Sequence, residues 1–531
     1  MADKLKVLSL TRCEGLKRTP DFSGCVSLER LSFYHCPNLQ EVDSSIGKLK
    51  GLTNLDIIWC KSLRTLPEEV EGLVNLKLFS TRGCKKLKKL PSSIWKLASL
   101  SRIHISSTGI TSLPNSIDNG KHLFQLDLGD TPIAELPTSI GELTQLEYLS
   151  LYQCPNFQEL PESIGNLTSL EYLYLSETKI VELPDSIKNL TQLKVMCIEG
   201  TLIRRLPASI GLLERLKELN ARHCKELEGE IPPEIGKLSS LRILDLSKTR
   251  IRAVPMTINS LTQLQKLDLT DCNELQELPK LPLSLKCLRV RSTSLRLVAD
   301  LRNLTNLVEF LCQGSGQAPG QASNPMQTVP LSLCLPEPSM DSNSVVFGLQ
   351  LPNLRNLTRL DHYRSPLREI QLDGLELLRD LAVRECEFLK GLSISLRNLR
   401  QKEVFDCSKL HEVRFLGKME LLEKLHVKKC NSLGKLSSLS NLKKLKSLLV
   451  DECDALKDLE GLEELELLSF LSFVRCGSLE RLTHAPKSKP KMPNGCRMYV
   501  LDCAKFQGPS RSTFSFEDYW KDEMKKSETA S

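Results

Sequence analysis

A nine-residue pattern recurs along most of this chain. Residues Leu146 to Cys154 read Leu-x-x-Leu-x-Leu-x-x-Cys, and the units at Leu123 and Leu170 repeat it with Thr131 and Thr178 in the last place. The alternation of Leu149 and Leu151 predicts a strand with one apolar face. Its return, mostly after 23 or 24 residues, lies within the roughly 20–29-residue period of stacked repeat arrays. A unit this short cannot bury its apolar side alone, so it must stack on the units before and after it. That requirement removes globular single-core folds from consideration for a chain of 531 residues.

The second half of each unit carries Leu-Pro, then x-x-Ile and x-x-Leu, as in Leu66-Pro67 with Val70 and Leu73, or Leu183-Pro184 with Ile187 and Leu190. Proline has a fixed φ and no N–H, so it suits the first position of a short helix or a turn. The expected fold is α/β, a leucine-rich-repeat solenoid shaped as a curved horseshoe or superhelix. Its parallel β-sheet lines the concave face, with turns and short 3₁₀ or α-helices on the convex face. Block 1 spans residues 1–312 with about 14 repeats of the Leu-Pro-x-x-Ile type. Residues 313–350 are an irregular Pro/Ser/Gly-rich insertion, read as a loop between repeats. Block 2 spans 351–503 with about seven repeats, and Lys402 there stands where a leucine belongs, which weakens that strand's signal. The polar tail 504–531 is read as disordered, with Phe514, Phe516, Tyr519 and Trp520 able to dock on the last repeat.

The 19 cysteines would suit a disulfide scaffold, but their positions argue against pairing. Cys13, Cys36, Cys60, Cys84, Cys154, Cys224 and Cys272 all occupy the ninth position, as do Cys386, Cys407, Cys430, Cys453, Cys476 and Cys503. Thr108, Thr131, Thr178, Thr201, Thr249 and Thr293 fill the same slot elsewhere. A residue that returns once per repeat forms a ladder, and threonine cannot form a disulfide. A buried free thiol acts as a small hydrophobe with a weak S–H donor. The ladder therefore implies a reducing compartment, cytoplasmic or nucleocytoplasmic. The opening stretch is already a repeat strand rather than a leader, and no apolar run of about 18 residues predicts a membrane span.

A net charge of +7 is small for this length and does not call for a nucleic-acid partner. The sequence holds no phosphate-binding Gly-x-x-x-x-Gly-Lys-Ser/Thr, no His-Glu-x-x-His, no Gly-x-Ser-x-Gly and no Cys-x-x-Cys. Gly314-x-Gly316 follows no clean strand and opens no helix, so it does not qualify as a dinucleotide loop. Neither catalytic residues, a metal site nor a cofactor is expected. The Asn-Leu-Thr sequons at Asn166, Asn189, Asn303 and Asn356 arise from the repeat itself.

Function then falls to the sheet face. Tyr148, Tyr152, Tyr172 and Tyr174 place half of the chain's eight tyrosines on two neighbouring repeats. Tyrosine offers contact area and a polar tip at little entropic cost, which makes these a candidate protein-binding patch. Tyr34, His35, Ile58 and Trp59 form a second candidate on the same face. The competing reading of both is cross-strand stacking that steadies an exposed sheet. The lysine runs at Lys85, Lys86, Lys88 and Lys89 and at Lys443, Lys444 and Lys446 read as solvated faces, with an acidic partner or a packed domain as the alternative.

The Cys/Thr alternation, the recurring Leu-Pro-x-x-Ile, and openings such as Leu5-Lys6-Val7-Leu8-Ser9-Leu10-Thr11-Arg12-Cys13 followed by Thr19-Pro20-Asp21-Phe22 resemble the leucine-rich region of plant intracellular immune receptors. The resemblance covers residues 1–503 and is to the class with a TIR domain and a nucleotide-binding domain ahead of the repeats. It implies a non-enzymatic recognition module in plant defence. Its expected partners are a protein ligand such as a pathogen effector and a receptor's nucleotide-binding domain. The chain departs from that class in holding neither the nucleotide-binding nor the TIR portion. The alternative is a cytosolic signalling scaffold resembling Ras-group leucine-rich proteins, although those more often place asparagine at the ninth position. An extracellular receptor array would carry Gly-x-Ile-Pro in repeat after repeat, whereas only Gly229-Glu230-Ile231-Pro232 fits here.

Overall fold

The computed structural model describes residues 3–295, 297–298, 304–313, 354–363, 369–372, 375–417, 419–482, 496–507 and 513–515. The insertion expected at 313–350 lies outside these residues apart from Gln313, as do most of the tail and the side chains of its aromatic cluster. The chain divides into two compact units, residues 1–264 and 265–531.

In the first unit, eleven parallel strands run from Val7–Thr11 to Ile243–Asp245, one per repeat. They pair in register: Leu149 faces Leu126 on one side and Leu173 on the other, and all three are fully buried. Ten 3₁₀ helices of five residues line the opposite side, from Ser44–Lys48 to Met256–Ser260. No α-helix occurs among the described residues. In nine of the ten helices a proline such as Pro67, Pro184 or Pro207 is the extended residue just before the helix rather than its first turn. The cap's own N–H is not used by the helix, so proline forfeits nothing there. Asp43 stands in that place ahead of the first helix and accepts a hydrogen bond from the Ser45 N–H at 2.9 Å.

The arcs stack so tightly that side chains are excluded at some contacts. A Cβ on Gly165 would lie 2.6 Å from the Ser186 carbonyl oxygen, and one on Gly72 only 2.1 Å from that of Gly47. In the first repeat Leu5, Leu8 and Leu10 are half-buried, whereas their equivalents in the next, Leu28, Leu31 and Phe33, are fully buried.

Among the described residues, the main sheet of the second unit holds ten parallel strands from Lys266–Leu269 to Arg497–Leu501, with Thr513–Ser515 antiparallel to the last. Here the back of the stack is largely a second parallel ladder, Glu369–Leu372, Gly391–Ile394, Glu412–Phe415 and Lys435–Leu436. Among the described residues of this unit, short 3₁₀ turns occur at Leu439–Asn441 and Leu462–Glu464. In the first unit Glu228–Glu230 and Arg250–Ala253 pair in the same way just ahead of Pro232 and Pro255 and their 3₁₀ helices. The insertion departs after Glu309–Gln313 and the chain returns to Arg359–Tyr363, strands that are direct sheet neighbours.

Two expectations need correction. The strand weakened by Lys402 is intact as Gln401–Phe405, with Lys402 seated between Leu381 and Leu425. Backbone pairing on both sides holds it there. Its ammonium has no hydrogen-bond partner and lies 5.0 Å from the centre of the Phe415 ring. Second, Thr293 is exposed and stands outside the ladder. Ser292 is buried in its place, donating to the Leu275 carbonyl at 2.8 Å, because this repeat turns one residue early.

Leu149→Arg places an unpaired charge in the core and should lower unfolding free energy by several kcal/mol, on the order of 3 or more. Urea denaturation matching wild type would refute the strand register. Lys402 is the converse case. Burial pulls its amine from 10.5 down to about 7. The folded-state value is depressed, so the penalty is complete below pH 7 and fades as pH rises toward the unfolded value. Lys402→Leu should therefore stabilise the chain by up to about 4 kcal/mol at neutral pH and below. The gain should shrink toward pH 10, and a gain that is flat with pH in denaturation curves would contradict the cause.

Candidate protein-binding face

Each strand presents its third, fifth and seventh repeat positions outward. Tyr148 and Tyr172 are register partners at the third position, and Ser150 and Tyr174 at the fifth. Tyr148 reaches both neighbours: ring centres lie 5.4 Å from Tyr174 and 6.5 Å from Tyr172, tilted by 44° and 39°. The three rings are half-buried and form one aromatic surface. Burial, with Cys197 and Tyr148 close by, pushes the Tyr174 phenol up to about 12, and burial followed by Asp127 raises that of Tyr148. Both hydroxyls stay protonated at neutral pH and can donate to an incoming acceptor.

Tyr152 stands apart. It is 46% exposed at the seventh position, and among the described residues no ring contact joins it to the other three. The expected quartet is a trio with one outlying ring.

The second aromatic group lies on the rim of the sheet. Tyr34 and Ile58 are register partners at the seventh position, Tyr34 41% exposed and Ile58 half-buried. His35 and Trp59 follow at the eighth position, where both take left-handed backbone, φ 53° and 58°. They are therefore corner residues, not residues of the sheet face. Their rings stack at 6.0 Å and 14°, and Tyr34 meets His35 edge-on at 4.6 Å. The eighth position is left-handed in sixteen non-glycine residues, so its even recurrence was the available signal for the rim.

Sequence reasoning missed the charge pattern of the second unit. Arg289 bonds Glu309 at 2.7 Å and lies 3.6 Å from Asp268. Arg384 bridges Asp361 and Glu403, each at 2.7 Å. Opposite charges on neighbouring strands at outward positions would have revealed both groups.

Beneath the face runs the ladder. Cys36, Cys60, Cys84, Cys154 and Cys224 are fully buried and Cys13, in the first repeat, half-buried. Cys272 is buried too. Thr108, Thr131, Thr178, Thr201 and Thr249 are also buried, each donating to the carbonyl three residues back at 2.6–2.8 Å. Burial drives the thiols of Cys60 and Cys84 up to about 11 and about 12. Cys503 is half-buried, and the neighbouring Cys476 pulls its thiol down while that of Cys476 is itself pushed up. Among the described residues no group of three His, Cys, Asp or Glu is placed to hold a metal, and no helix is long and apolar enough to cross a membrane.

Residues 92–175 match the leucine-rich repeat region family, 239–283 the two-copy leucine rich repeats and 169–190 the single leucine rich repeat. The chain carries leucine-rich repeats. Over 63 residues, 12% of this chain and 6% of the relative, it is 40% identical to TMV resistance protein N of Nicotiana glutinosa. The match spans a small fraction of that relative's length. Among solved structures, the leucine-rich-repeat ectodomain of the Arabidopsis thaliana plant membrane receptor kinase GASSHO1/SCHENGEN3, in complex with CASPARIAN STRIP INTEGRITY FACTOR 2, covers 95% of this chain and 68% of its own at 20% identity, TM-score 0.50. A leucine-rich-repeat protein of Leptospira interrogans covers 76% of this chain and 90% of its own at 21% identity, TM-score 0.48. Leucine-rich repeats generally serve as non-enzymatic protein-binding scaffolds.

The thiols should differ sharply in reactivity, because the thiolate is the nucleophile. Brief iodoacetamide treatment of the native chain at pH 7.5, read by peptide mass spectrometry, should label Cys503 first and leave Cys60 and Cys84 free but unlabelled until denaturant is added. Disulfides at these positions in freshly purified, non-reduced protein would contradict a free ladder.

Proposed function

We propose that the chain is a protein-recognition module in plant defence that binds its partner over the Tyr148, Tyr172 and Tyr174 surface. The observation that supports this most is the aromatic trio itself. Three half-buried rings, with the hydroxyls of Tyr148 and Tyr174 held protonated, sit on an open sheet of a fold whose role is protein contact. Preformed rings lose little freedom on binding, so the area they offer is converted efficiently into affinity. The short match to TMV resistance protein N supports the defence setting, and with it the resemblance in Cys/Thr alternation and Leu-Pro-x-x-Ile. On this reading the partner is a pathogen effector or a host protein. In a longer receptor the same repeats would also restrain a nucleotide-binding domain. The compartment proposed is cytoplasmic or nucleocytoplasmic, in keeping with a ladder of free thiols.

The test separates recognition from mere stacking. A partner is first isolated by pull-down from plant extract, with and without an added nucleotide-binding domain. Tyr148→Ala with Tyr174→Ala should then weaken that complex by about 2 kcal/mol or more, roughly 30-fold, while the melting temperature moves little. A large fall in melting temperature with binding unchanged would establish the rings as sheet stacking and overturn the proposal.

A further inference from the structure

The rim of the first unit carries an unbalanced charge beside an aromatic shelf. Residues 57–67 contain Lys61 and Arg64 and no acid. One repeat later, residues 81–91 contain Arg82, Lys85, Lys86, Lys88 and Lys89, again with no acid. The corresponding stretch of the next repeat, residues 105–114, is uncharged. These segments stack directly: the Trp59 N–H donates to the Arg82 carbonyl at 2.7 Å, and the Gly109 N–H to that of Leu87 at 2.9 Å. All seven cationic side chains are exposed, and among the described residues none has an ion pair or a hydrogen bond.

Elsewhere the chain neutralises such runs. Lys443 lies 3.5 Å from Glu464, and Lys446 lies 3.0 Å from Glu423. Lys6 and Glu29 meet at 2.8 Å. The rim cluster instead keeps like charges one repeat apart, an arrangement that opposes folding and that no internal contact offsets.

The second observation is Trp59. Its ring lies flat over Gly83, where an added Cβ would sit 2.6 Å from the indole carbons. His35 stacks behind it and the exposed Tyr34 stands edge-on to His35. The shelf ends where the cations begin, since Lys61 and Lys85 each come two residues after the corner residues Trp59 and Gly83.

We propose that this rim is a second docking surface, separate from the tyrosine trio, for an extended acidic protein segment carrying an apolar side chain. The segment's carboxylates meet the paired rows of cations, and its apolar residue packs beside the half-buried Trp59 and the exposed Tyr34. Single-stranded nucleic acid would share the cations but needs a series of free ring faces for its bases. Here the indole and imidazole are stacked on each other, so the protein segment is favoured.

The test uses the full chain and defined probes. Fluorescence anisotropy measures binding of a labelled synthetic peptide of glutamates with one central phenylalanine, and of a labelled 20-mer of deoxythymidine. The peptide should bind the more tightly, and its affinity should fall at least tenfold in Lys85→Glu/Lys88→Glu/Lys89→Glu and about fivefold in Trp59→Ala. Lys443→Glu/Lys444→Glu should leave it unchanged. Melting of the triple variant should match or exceed wild type, since self-repulsion is relieved. Tighter binding of the oligonucleotide, equal losses in both charge-reversal variants, or no loss in Trp59→Ala would overturn the proposal. Tyr148→Ala should not affect the peptide, so this outcome is independent of the tyrosine surface.

Discussion

One hydrogen bond, repeated at most of the described corners, sets the geometry of the stack. The N–H of the eighth repeat residue donates to the carbonyl of the seventh residue in the next repeat, at 2.6–2.8 Å in Trp59 to Arg82, Asp130 to Tyr152, Gln153 to Ser176 and Glu452 to Val474. To aim that N–H along the stack, the eighth residue must adopt left-handed backbone, and it does so in sixteen non-glycine residues with φ of 50–62° and in Gly83 and Gly200. Left-handed backbone costs roughly 1–2 kcal/mol in a non-glycine residue. The bond recovers part of that cost and locks the register of the sheet. A slip by one residue would turn every leucine to the other face.

The same corner explains why cysteine and threonine interchange at the ninth position. Threonine's hydroxyl bonds the sixth carbonyl of its own repeat, as Thr131 bonds Leu128 at 2.6 Å. Cysteine's longer bond to sulfur reaches the sixth carbonyl of the repeat before, as Cys154 reaches Leu128 at 3.2 Å and Cys84 reaches Ile57 at 3.1 Å. When cysteine follows threonine both donors converge on one carbonyl, and Thr131 and Cys154 come within 3.4 Å. Thr201, Cys224 and Ile198 repeat the arrangement. The slot thus demands a small buried donor, and the two side chains satisfy it from opposite directions.

These facts mark what could be read from the amino acids. Leucines and ninth-position donors are constrained by chemistry as well as place, so their period is visible in the letters. The eighth position is constrained only in conformation. It is filled by Arg12, His35, Trp59, Ser107, Asp130 and Gln153 alike, because backbone hydrogen bonding rather than side-chain type holds it. Hence His35 and Trp59 were assigned to the sheet face and belong to the rim. Lys402 is the opposite case: its letter conflicts with its slot, yet strand pairing on both sides keeps the slot. Thr293 sat in the expected place, but a turn one residue shorter gave the role to Ser292.

Some outward charges are already paired and others are not, and this bears on where a partner would bind. In the second unit, Arg289 and Arg384 already hold carboxylates on neighbouring strands. A ligand competing for them must break bonds at 2.7 Å before it forms its own, so the net return is small. In the first unit the tyrosine trio offers half-buried aromatic area, and among the described residues the rim cations have no ion pair to give up. Contacts made there add to affinity without first subtracting from stability. On the proposed reading, recognition therefore falls to the tyrosine trio and the rim of the first unit rather than to Arg289 and Arg384.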